Sequence, residues 1–409
     1  MREPPTKLRP QTDPWSFLPP RAREAVHRMG FAAPTPVQAE CLPPALAGES
    51  IAAVAPTGTG KTLIYLLPVW NAASARGHNL ILVPTRELGY QVSQMLQALD
   101  PEARAGIALC VGGHDIDMQL KSLRSAWHTL IATPGRLLDI LGRTAAPLKN
   151  IRLLVLDEFD RLIELGFEEQ LAAILSQLPP RRQTLLFSAT GEDAVLDRLP
   201  LGKLRRLHVL LGKTAPLSEQ FFFLKSNRKK GDLLLAALGG VKGQAMVFVS
   251  NREKANHLNG LLRMRGFSSV ALHGDRLQWE RAAAYQDFKT GRVRVLVATD
   301  LAGRGLDVPE VDLIVNYDLP RSFKDYVHRS GRTARRSRPG TCLSFAGPDD
   351  YLPLRSLEKG FGAPLPCHPD YAQRDRWLEN AKRVHDTEVK REERSKFIRS
   401  EQGLNPTIP

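Results

Sequence analysis

Residues 55–62, Ala-Pro-Thr-Gly-Thr-Gly-Lys-Thr, have the residue types and spacing of a loop that binds phosphate. The apolar run Ile51–Val54 before them predicts a buried strand, and Leu63–Leu67 after them predicts a helix. Backbone N–H groups at such a turn, together with the positive end of the helix dipole, attract an anion. Lys61 could then reach the outer phosphates, and the Thr62 hydroxyl could coordinate Mg²⁺. Because the first residue is alanine where this pattern usually has glycine, a plain glycine-rich turn is the alternative.

The first half of the chain alternates between short apolar runs and helix-length segments, which predicts a parallel sheet covered on both faces. Its further strands are predicted at Leu80–Val83, Gly106–Val111, Thr129–Ala132, Ile151–Leu156 and Thr184–Phe187. A sheet of this kind binds its ligands at the carboxyl ends of its strands. Four strands are followed there by polar motifs, namely Pro84–Leu88, Thr133–Arg136, Asp157–Asp160 and Ser188–Thr190. Simple helix capping by Ser, Thr and Asp is the alternative for each motif.

A second alternating series begins after about residue 215 and predicts another α/β layer of similar size. Its strands are predicted at Ala245–Val249, Ser268–Leu272, Val293–Ala298, Asp312–Asn316 and Thr341–Ala346. The segment Glu253–Arg265 has apolar residues at helical spacing. Lys203–Lys213 is basic and without clear periodicity, which favours a linker. The polar chain after about Asp370 favours a solvated helix or a disordered tail.

Composition narrows the class of protein. A chain of 409 residues with 43% hydrophobic content predicts two globular domains. The net charge of +14, from 57 Lys and Arg against 43 Asp and Glu, favours a nucleic-acid partner, although a basic protein without one is the alternative. No apolar run approaches the ~20 residues that span a bilayer, and the first residues lack a secretory signal, so a cytoplasmic protein without membrane contact is expected. The four cysteines are scattered, which disfavours a zinc site and a disulfide framework.

Taken in chain order, these motifs resemble those of the DEAD-box family of ATP-dependent RNA helicases, from about Phe17 to Phe345. The motifs of the first half are Pro34–Gln38, Ala55–Thr62, Pro84–Leu88, Gly112-Gly113, Thr133–Arg136, Asp157–Asp160 and Ser188–Thr190. Those of the second half are Met246–Asn251, His273–Asp275, Ala298–Asp307 and Tyr326–Arg335. The resemblance implies an α/β fold of two tandem RecA-like domains, each a parallel sheet with helices on both faces.

The implied domain boundaries follow the motifs. Residues 1–14 would be a flexible N-terminal segment, and 15–205 the first RecA-like domain, which binds ATP. Residues 206–217 would be a linker, 218–369 the second RecA-like domain, and 370–409 a charged C-terminal tail.

The resemblance also implies ATP as a cofactor. Gln38 would recognise adenine, since its amide offers both a donor and an acceptor, and Trp15 or Phe17 would pack near the base. The remaining implied ATP contacts are Pro56, Thr57, Gly58, Thr59, Gly60, Lys61, Thr62 and, at the ribose, Asp307.

Catalytic roles are implied in the same way. Thr62 and Asp157 would hold Mg²⁺, and Glu158 would orient and deprotonate the attacking water, while Lys61 would hold the phosphates. Arg329 and Arg332 would be arginine fingers, for which ion pairing within one domain is the alternative. The residues implied to couple the ATP site to the neighbouring domain are Asp160, Ser188, Ala189, Thr190, Asp300 and His328.

The implied partner is RNA, as single strands and short duplexes. Backbone N–H groups near glycines, together with arginines, suit a sugar–phosphate strand, so binding is expected to be largely independent of sequence and sensitive to salt. The implied RNA contacts are Arg86, Gly113, Thr133, Gly135 and Arg136 in the first domain, and Asn251, Gly274, Gln278 and Thr299 in the second.

Phe159 departs from the family pattern, because it replaces alanine in the Asp-Glu-Ala-Asp motif. Its ring could alter the contact of Asp160 with Ser188 or Thr190. The implied function is an RNA-dependent ATPase that unwinds short RNA duplexes or remodels RNA–protein complexes. An ATP-gated RNA clamp with weak turnover is the alternative, and a double-stranded DNA helicase is disfavoured.

Overall fold

The computed structural model describes residues 13–55, 58–73, 78–100, 106–113, 115–143, 148–189, 193–209, 217–224, 226–300, 310–334, 339–366, 368 and 375–387. The chain forms two compact units, which divide between residues 212 and 213, inside the segment 206–217. Each unit contains one parallel sheet with helices packed against it.

The first unit contains a seven-stranded sheet in the order β3-β4-β2-β5-β6-β1-β7. Its strands are β1 (Ile51–Val54), β2 (His78–Leu82), β3 (Ile107–Cys110), β4 (Thr129–Ala132), β5 (Ile151–Leu156), β6 (Gln183–Ser188) and β7 (Arg205–His208). Its helices are α1 (Pro20–Arg28), α2 (Pro36–Leu46), α3 (Lys61–Ala73), α4 (Arg86–Leu99), α5 (Ile116–Arg124), α6 (Pro134–Leu141), α7 (Phe159–Glu164), α8 (Glu168–Leu175) and α9 (Asp193–Leu196).

Both faces of this sheet are buried, because successive residues of each strand point to opposite sides. Along β2, Leu80 and Leu82 belong to one apolar cluster, whereas Ile81 belongs to the cluster on the other face. Leu154 and Val155 divide between the two clusters in the same way. Each fully buried side chain of this kind contributes about 1.5–3 kcal/mol to the stability of the fold relative to an exposed one. Because both faces of the sheet are covered, apolar residues follow one another along the strands, and the apolar runs are continuous.

The parallel register brings the carboxyl ends of the central strands to one edge. Val54 of β1 lies opposite Ser188 of β6, and Leu82 of β2 lies opposite Leu156 of β5. The residues that follow these strands therefore share one edge of the sheet, where the predicted motifs lie.

The second unit contains a six-stranded parallel sheet in the order β10-β11-β9-β12-β13-β8. Its strands are β8 (Leu217–Phe223), β9 (Ala245–Val249), β10 (Ser269–Leu272), β11 (Val295–Thr299), β12 (Leu313–Asn316) and β13 (Gly340–Ala346). Its helices are α10 (Lys230–Gly240), α11 (Arg252–Met264), α12 (Gln278–Lys289), α13 (Phe323–Ser330), α14 (Tyr351–Phe361) and α15 (375–387). Every strand that the sequence predicted in either half is present, with ends that differ by one or two residues.

The predicted linker is wrong at its first residues. Arg205–His208 pairs in parallel with β1 and forms an edge strand of the first sheet. Only Leu207 of its four residues is buried, so the segment lacks the apolar run that identifies a strand. At the other end of the predicted linker, Leu217 begins β8, which pairs with β13.

The predicted charged tail also needs a correction, because part of it packs against the second unit. In helix α15, Trp377 and Ala381 are one helical turn apart and both are buried. The Trp377 indole N–H donates to the Leu224 carbonyl at 3.0 Å, and its ring contacts Phe223 edge-on at 5.2 Å between centroids. Residues 388–409 lie outside the described residues.

Among the residues that the structure describes, no helix is both long and apolar enough to cross a lipid bilayer.

Candidate active site

The phosphate-loop motif lies between β1 and α3, as the sequence predicted. Ala55 directly follows the strand, and Lys61 is the first residue of the helix. Gly58 and Gly60 have φ of 77° and 84°, which lies in the region that residues with a Cβ rarely adopt. A Cβ at Gly60 would also lie 2.5 Å from the Gln38 amide nitrogen, so the loop needs glycine there. Pro56 and Thr57, two predicted ATP contacts, lie outside the described residues.

Lys61 occupies a buried position at the base of this loop. Its Nζ donates to the Ala55 carbonyl at 2.6 Å and to the Ser188 carbonyl at 3.1 Å. Burial lowers the pKa of the ammonium, and the carboxylates of Asp160, Asp157 and Glu158 oppose that shift. An ammonium has three N–H donors, and both of these carbonyl partners are neutral. This donor set fits a phosphate oxygen as a further acceptor.

The carboxylates of Asp157 and Glu158 follow β5 at the same edge. Asp157 accepts hydrogen bonds from the Tyr65 hydroxyl at 2.6 Å and from the Glu158 backbone N–H at 2.9 Å. Burial and the neighbouring Glu158 carboxylate raise the pKa of Asp157 to about 6. Glu158 has φ of 46° and ψ of 52°, a left-handed conformation that is uncommon for a residue with a side chain and is found at functional sites.

Sequence reasoning missed Tyr65, which nevertheless touches the predicted metal ligand. The signal was available, because Tyr65 lies four residues after Lys61 and so on the same face of α3. The side chain is fully buried and its ring packs against Phe187 at 5.4 Å between centroids. Burial, followed by the Asp157 charge, raises the pKa of Tyr65 well above its ordinary value, so the hydroxyl remains a donor at neutral pH.

Thr62 and Asp157 fit a Mg²⁺ ion that is completed by substrate and water. Both are linked to Tyr65, which contacts the Asp157 carboxylate and lies within hydrogen-bonding reach of the Thr62 hydroxyl. In the described part of the chain, no three His, Cys, Asp or Glu side chains converge on a metal position. Mg²⁺ is ordinarily held by one or two protein oxygens together with phosphates and waters, so two ligands suffice.

Phe159 leaves the hydrogen bond of its neighbour Asp160, a predicted coupling residue, intact. Its ring is fully buried in the apolar cluster that contains Leu156 and Leu162. The Asp160 carboxylate accepts a hydrogen bond from the Ala189 backbone N–H at 3.0 Å. The contact between motifs Asp157–Asp160 and Ser188–Thr190 therefore forms with phenylalanine at 159. Thr190 lies outside the described residues.

Gln38 joins helix α2 to the phosphate loop. Its Oε1 accepts from the Thr35 backbone N–H at 2.9 Å, and its Nε2 donates to the Gly60 carbonyl at 3.0 Å. Thr35 caps the same helix and its hydroxyl donates to the Thr59 carbonyl at 2.7 Å. Since an amide has two N–H donors and two acceptor positions, these two bonds leave one of each unused on a side chain that is 2% exposed.

The two aromatic candidates near adenine differ in accessibility. Trp15 is fully buried, and its indole N–H donates to the Phe31 carbonyl at 2.9 Å. Phe17 is 40% exposed, with its ring 6.0 Å from that of Trp15. Phe17 is therefore the ring that can reach a ligand, whereas Trp15 belongs to the core.

Two of the predicted RNA contacts of the first unit lie together. The Arg86 guanidinium packs across Gly113, where a Cβ would lie 2.4 Å from its nitrogen. Thr85 caps α4 through its hydroxyl, but Thr133 makes no side-chain cap at the start of α6. Helix capping therefore accounts for Thr85 and does not account for Thr133. Gly135 and Arg136 lie in the first turn of α6.

Arg329 forms an ion pair within the second unit, which is the alternative to its role as an arginine finger. Its guanidinium is 1% exposed and pairs with both carboxylate oxygens of Asp300, at 2.6 and 2.7 Å. It also donates to Asn316 Oδ1 at 2.9 Å and to the Asp318 carbonyl at 2.8 Å. These contacts occupy most of the five N–H donors of an arginine. In the second unit the charge of Arg329 is thus buried and neutralised by Asp300, which is the ion-pair alternative, and its role as an arginine finger stays a prediction.

The other predicted residues of the second unit lie around its sheet. Arg332 and His328 are buried at the end of α13. Asn251 is exposed and caps α11 by accepting from the Lys254 N–H at 2.9 Å, so the capping alternative holds for its oxygen. Gly274 is exposed after β10, and Gln278 is the first residue of α12. Thr299 is the last residue of β11, and Asp307 lies outside the described residues.

Comparison with known proteins identifies the family. The model of the DEAD/DEAH box helicases matches residues 35–199, and that of the helicase conserved C-terminal domain matches residues 229–337. An ATP-dependent rRNA helicase of Debaryomyces hansenii is 38% identical over 360 residues, which cover 86% of this chain and 76% of that protein. The chain belongs to the DEAD-box helicase family. The predicted family and the predicted enzyme class, an ATP-dependent helicase, are thereby confirmed.

Two further similarities extend this assignment. A DEAD-box ATP-dependent RNA helicase of Bacillus cereus is 36% identical over 343 residues, which cover 82% of this chain and 65% of that protein. The solved structure of S. cerevisiae Dbp5 bound to RNA and ADP BeF3 has a TM-score of 0.76 and 28% identity, and the match covers 91% of this chain and 99% of that one. The predicted fold of this DEAD-box helicase, two tandem RecA-like domains, is confirmed.

Proposed function

We propose that this DEAD-box helicase is an RNA-dependent ATPase that unwinds short RNA duplexes or remodels RNA–protein complexes. The observation that carries the proposal is the convergence of Lys61, Asp157 and Glu158 at one edge of the first sheet. A buried ammonium beside two adjacent carboxylates is the arrangement that phosphoryl transfer requires, because that reaction depends on positioning and charge stabilisation. The similarity to the RNA helicase of Bacillus cereus supports RNA as the partner.

The residues at this edge divide the work. Lys61 holds the outer phosphates together with backbone N–H groups of Gly58, Thr59 and Gly60. Thr62 and Asp157 hold Mg²⁺, which neutralises developing charge when it is bound. Glu158 orients the attacking water and accepts its proton.

Recognition of the base and of RNA involves further residues. Gln38 has one N–H and one acceptor position left for the adenine edge, and exposed Phe17 supplies a ring beside it. Arg86 with Gly113, and Thr133 with Arg136, form the RNA side of the first domain, and Asn251, Gly274, Gln278 and Thr299 form that of the second. These contacts suit a sugar–phosphate strand, so affinity depends on salt more than on sequence.

Arg332 remains the candidate for stabilising phosphoryl charge, since Arg329 is engaged by Asp300. Asp160 and Ala189 carry the link between the carboxylate motif and the Ser188 segment. A cytoplasmic location completes the proposal, as a compartment in which a helicase of this family meets RNA.

Steady-state ATP hydrolysis tests the proposal. The full-length protein would be assayed with Mg²⁺, alone, with single-stranded RNA, and with single-stranded DNA of the same sequence as the control. We expect strong stimulation by RNA and little by DNA. Tight ATP-dependent binding of RNA without hydrolysis would instead support a clamp, and an absence of any RNA effect would contradict both functions.

A further inference from the structure

A cavity of about 1070 Å³ opens in the first unit, away from the candidate active site. It lies at the amino ends of the central strands, since His78, Ile151 and Gln183 line it and are the first residues of β2, β5 and β6. A strand rises ~3.3 Å per residue, so strands of this length separate the two edges of the sheet by roughly 17–20 Å. Of the proposed ATP and RNA contacts that the structure describes, none lines this cavity.

The walls of the cavity are held by side chains that bond to backbone carbonyls. The Gln183 amide nitrogen donates to Ala45 O at 2.7 Å and to Glu49 O at 2.9 Å, which joins β6 to the end of α2 and to the loop before β1. The Arg182 guanidinium donates to Pro179 O and to Pro200 O, both at 2.7 Å. These bonds fix the turn before β6, so the cavity is formed without a ligand.

The rim carries positive charge that the described chain does not neutralise. Lys149, Arg152 and Arg181 line the cavity and are exposed, and none of them has an ion-pair partner among the residues that the structure describes. No Asp or Glu of the described ranges lines the cavity, and the nearby Glu49 side chain pairs with Arg205 at 3.1 Å. Three cations around one concave surface concentrate positive potential and attract a polyanion.

The cavity also presents flat rings beside these cations. His78 stacks on Trp127 with centroids 4.2 Å apart, and both line the cavity together with His128. Trp127 is buried beneath this stack, so the partly exposed rings of His78 and His128 are those that a base could contact. An arginine can bind a phosphate through two parallel hydrogen bonds, and a flat ring can stack on a base. RNA-binding surfaces combine these two kinds of group. An acidic polypeptide would use the charges alone. The volume, at the upper end of the ~300–1,000 Å³ of small-ligand pockets, is also large for a single phosphate.

We propose that this cavity is a second RNA-binding site, which holds the phosphate backbone of RNA that flanks the strand bound by the helicase core. The site would tether the substrate without touching the groups that hydrolyse ATP. The proposal rests on the proposed function for the identity of its ligand. It differs in location, because the cavity and the candidate active site occupy opposite edges of the sheet.

The test uses the full-length triple variant Lys149→Gln/Arg152→Gln/Arg181→Gln and two RNA molecules. One RNA is a short single strand that fills only the helicase core, and the other is the same strand extended by a flanking duplex. We expect at least a tenfold decrease in affinity for the extended RNA at low salt. The slope of log K against log salt decreases by about 0.9 for each phosphate that the variant no longer neutralises, and therefore by about 2–3 in total. Affinity for the short strand and its stimulation of ATP hydrolysis remain unchanged.

A matched control is the triple variant Lys121→Gln/Arg124→Gln/Arg143→Gln. It removes the same number of lysines and arginines from the first unit, outside the cavity. Equal decreases in extended-RNA affinity in both variants would overturn the proposal, because net charge would then explain the effect. So would wild-type affinity in the cavity variant.

Two further readouts separate the remaining cases. Thermal unfolding shows whether both variants fold like the wild type, as surface substitutions should. Saturable binding of a polyglutamate peptide that the cavity variant abolishes, with unchanged affinity for extended RNA, would overturn the RNA proposal in favour of an acidic protein. If the short strand fails to stimulate hydrolysis by the wild type, the proposed function fails independently of the cavity.

Discussion

Tyr65 is the residue whose role the structure adds to the ATP site. Its hydroxyl donates to the Asp157 carboxylate, and the Tyr65→Phe change removes that donor while keeping the buried ring. A hydrogen bond to a charged group contributes about 1.5–3 kcal/mol. We therefore expect a fall of about 10- to 100-fold in kcat and a rise in the Mg²⁺ concentration for half-maximal turnover, with the affinity for metal-free ATP unchanged.

The control for this change is Tyr90→Phe, which removes a hydroxyl from helix α4 instead. ATP hydrolysis would be measured over a Mg²⁺ titration, and metal-free binding would be measured with a fluorescent nucleotide. Wild-type turnover and Mg²⁺ dependence in Tyr65→Phe would show that Asp157 is held in place without this hydroxyl.

A substitution at Arg329 can show whether this residue has a structural or a catalytic role. Replacement by Gln leaves Asp300 without its bidentate partner and removes the donor that Arg329 offers to Asn316 and to the Asp318 carbonyl. Breaking a buried ion pair from one side costs about 3–5 kcal/mol, so Arg329→Gln should lower the free energy of unfolding by that amount in urea titrations. The exposed Arg321→Gln is the control and should change it by less than about 0.5 kcal/mol.

A variant that keeps its stability but loses activity would support the arginine-finger prediction for this residue. If Arg329→Gln unfolds like the wild type but lacks RNA-stimulated hydrolysis, its charge acts on the phosphates in a conformation that differs from the one described. The sequence could not distinguish these roles, because Arg329 and Arg332 belong to the same short motif. Only the position of Asp300, 29 residues earlier in the chain, identifies the ion pair.

At the scale of elements, the strands could be predicted because their apolar runs are continuous. Both faces of each sheet are covered, so nearly every residue of β9 and β11 is buried and the pattern is clear. Strand β7 lacks this signal, since three of its four residues are exposed at the edge of the sheet. Its place depends on pairing with β1, which is 154 residues away between Ile51 and Arg205, and no local pattern reports such a contact.

Helix α15 was hidden for a related reason. Its sequence is mostly polar, and its packing depends on one side of the helix, where Trp377 and Ala381 are buried against the second unit. The spacing of four residues between them was visible in the sequence, but the polar composition around it favoured a solvated segment. One large side chain can therefore dock a helix that composition alone assigns to solvent.

Trp377 is the residue on which the docking of α15 depends most. Trp377→Ala removes the ring from Phe223 and the N–H from the Leu224 carbonyl. Truncation of a buried tryptophan costs about 3–5 kcal/mol, so we expect a lower unfolding midpoint and faster proteolysis within α15. The exposed Lys382→Ala in the same helix is the control. Equal stability of the two variants would show that α15 is not docked in solution.

At the scale of the molecule, the net charge of +14 suits a polyanionic partner such as RNA. The candidate site could be predicted largely from motifs because each one follows a strand, and parallel strands bring their carboxyl ends to one edge. The burial of Phe159 could not be predicted. The motif shows that phenylalanine replaces the alanine of the family pattern, but it does not show which side of α7 the ring occupies.

Glu158 allows the coupling of ATP turnover to RNA release to be tested in the whole molecule. Glu158→Gln keeps the shape of the side chain but removes its ability to accept a proton at neutral pH. A positioned general base contributes about 10²–10⁴-fold in rate, so RNA-stimulated hydrolysis should fall by at least about 100-fold, with ATP and RNA affinity retained. If hydrolysis triggers RNA release, RNA should then dissociate more slowly from this variant in the presence of ATP than it does from the wild type. Hydrolysis and the dissociation of a fluorescent RNA would be measured together, with Glu169→Gln on helix α8 as the control.

Normal turnover in Glu158→Gln would exclude Glu158 as the base. Abolished turnover with unchanged RNA dissociation would show that hydrolysis and RNA release are not coupled.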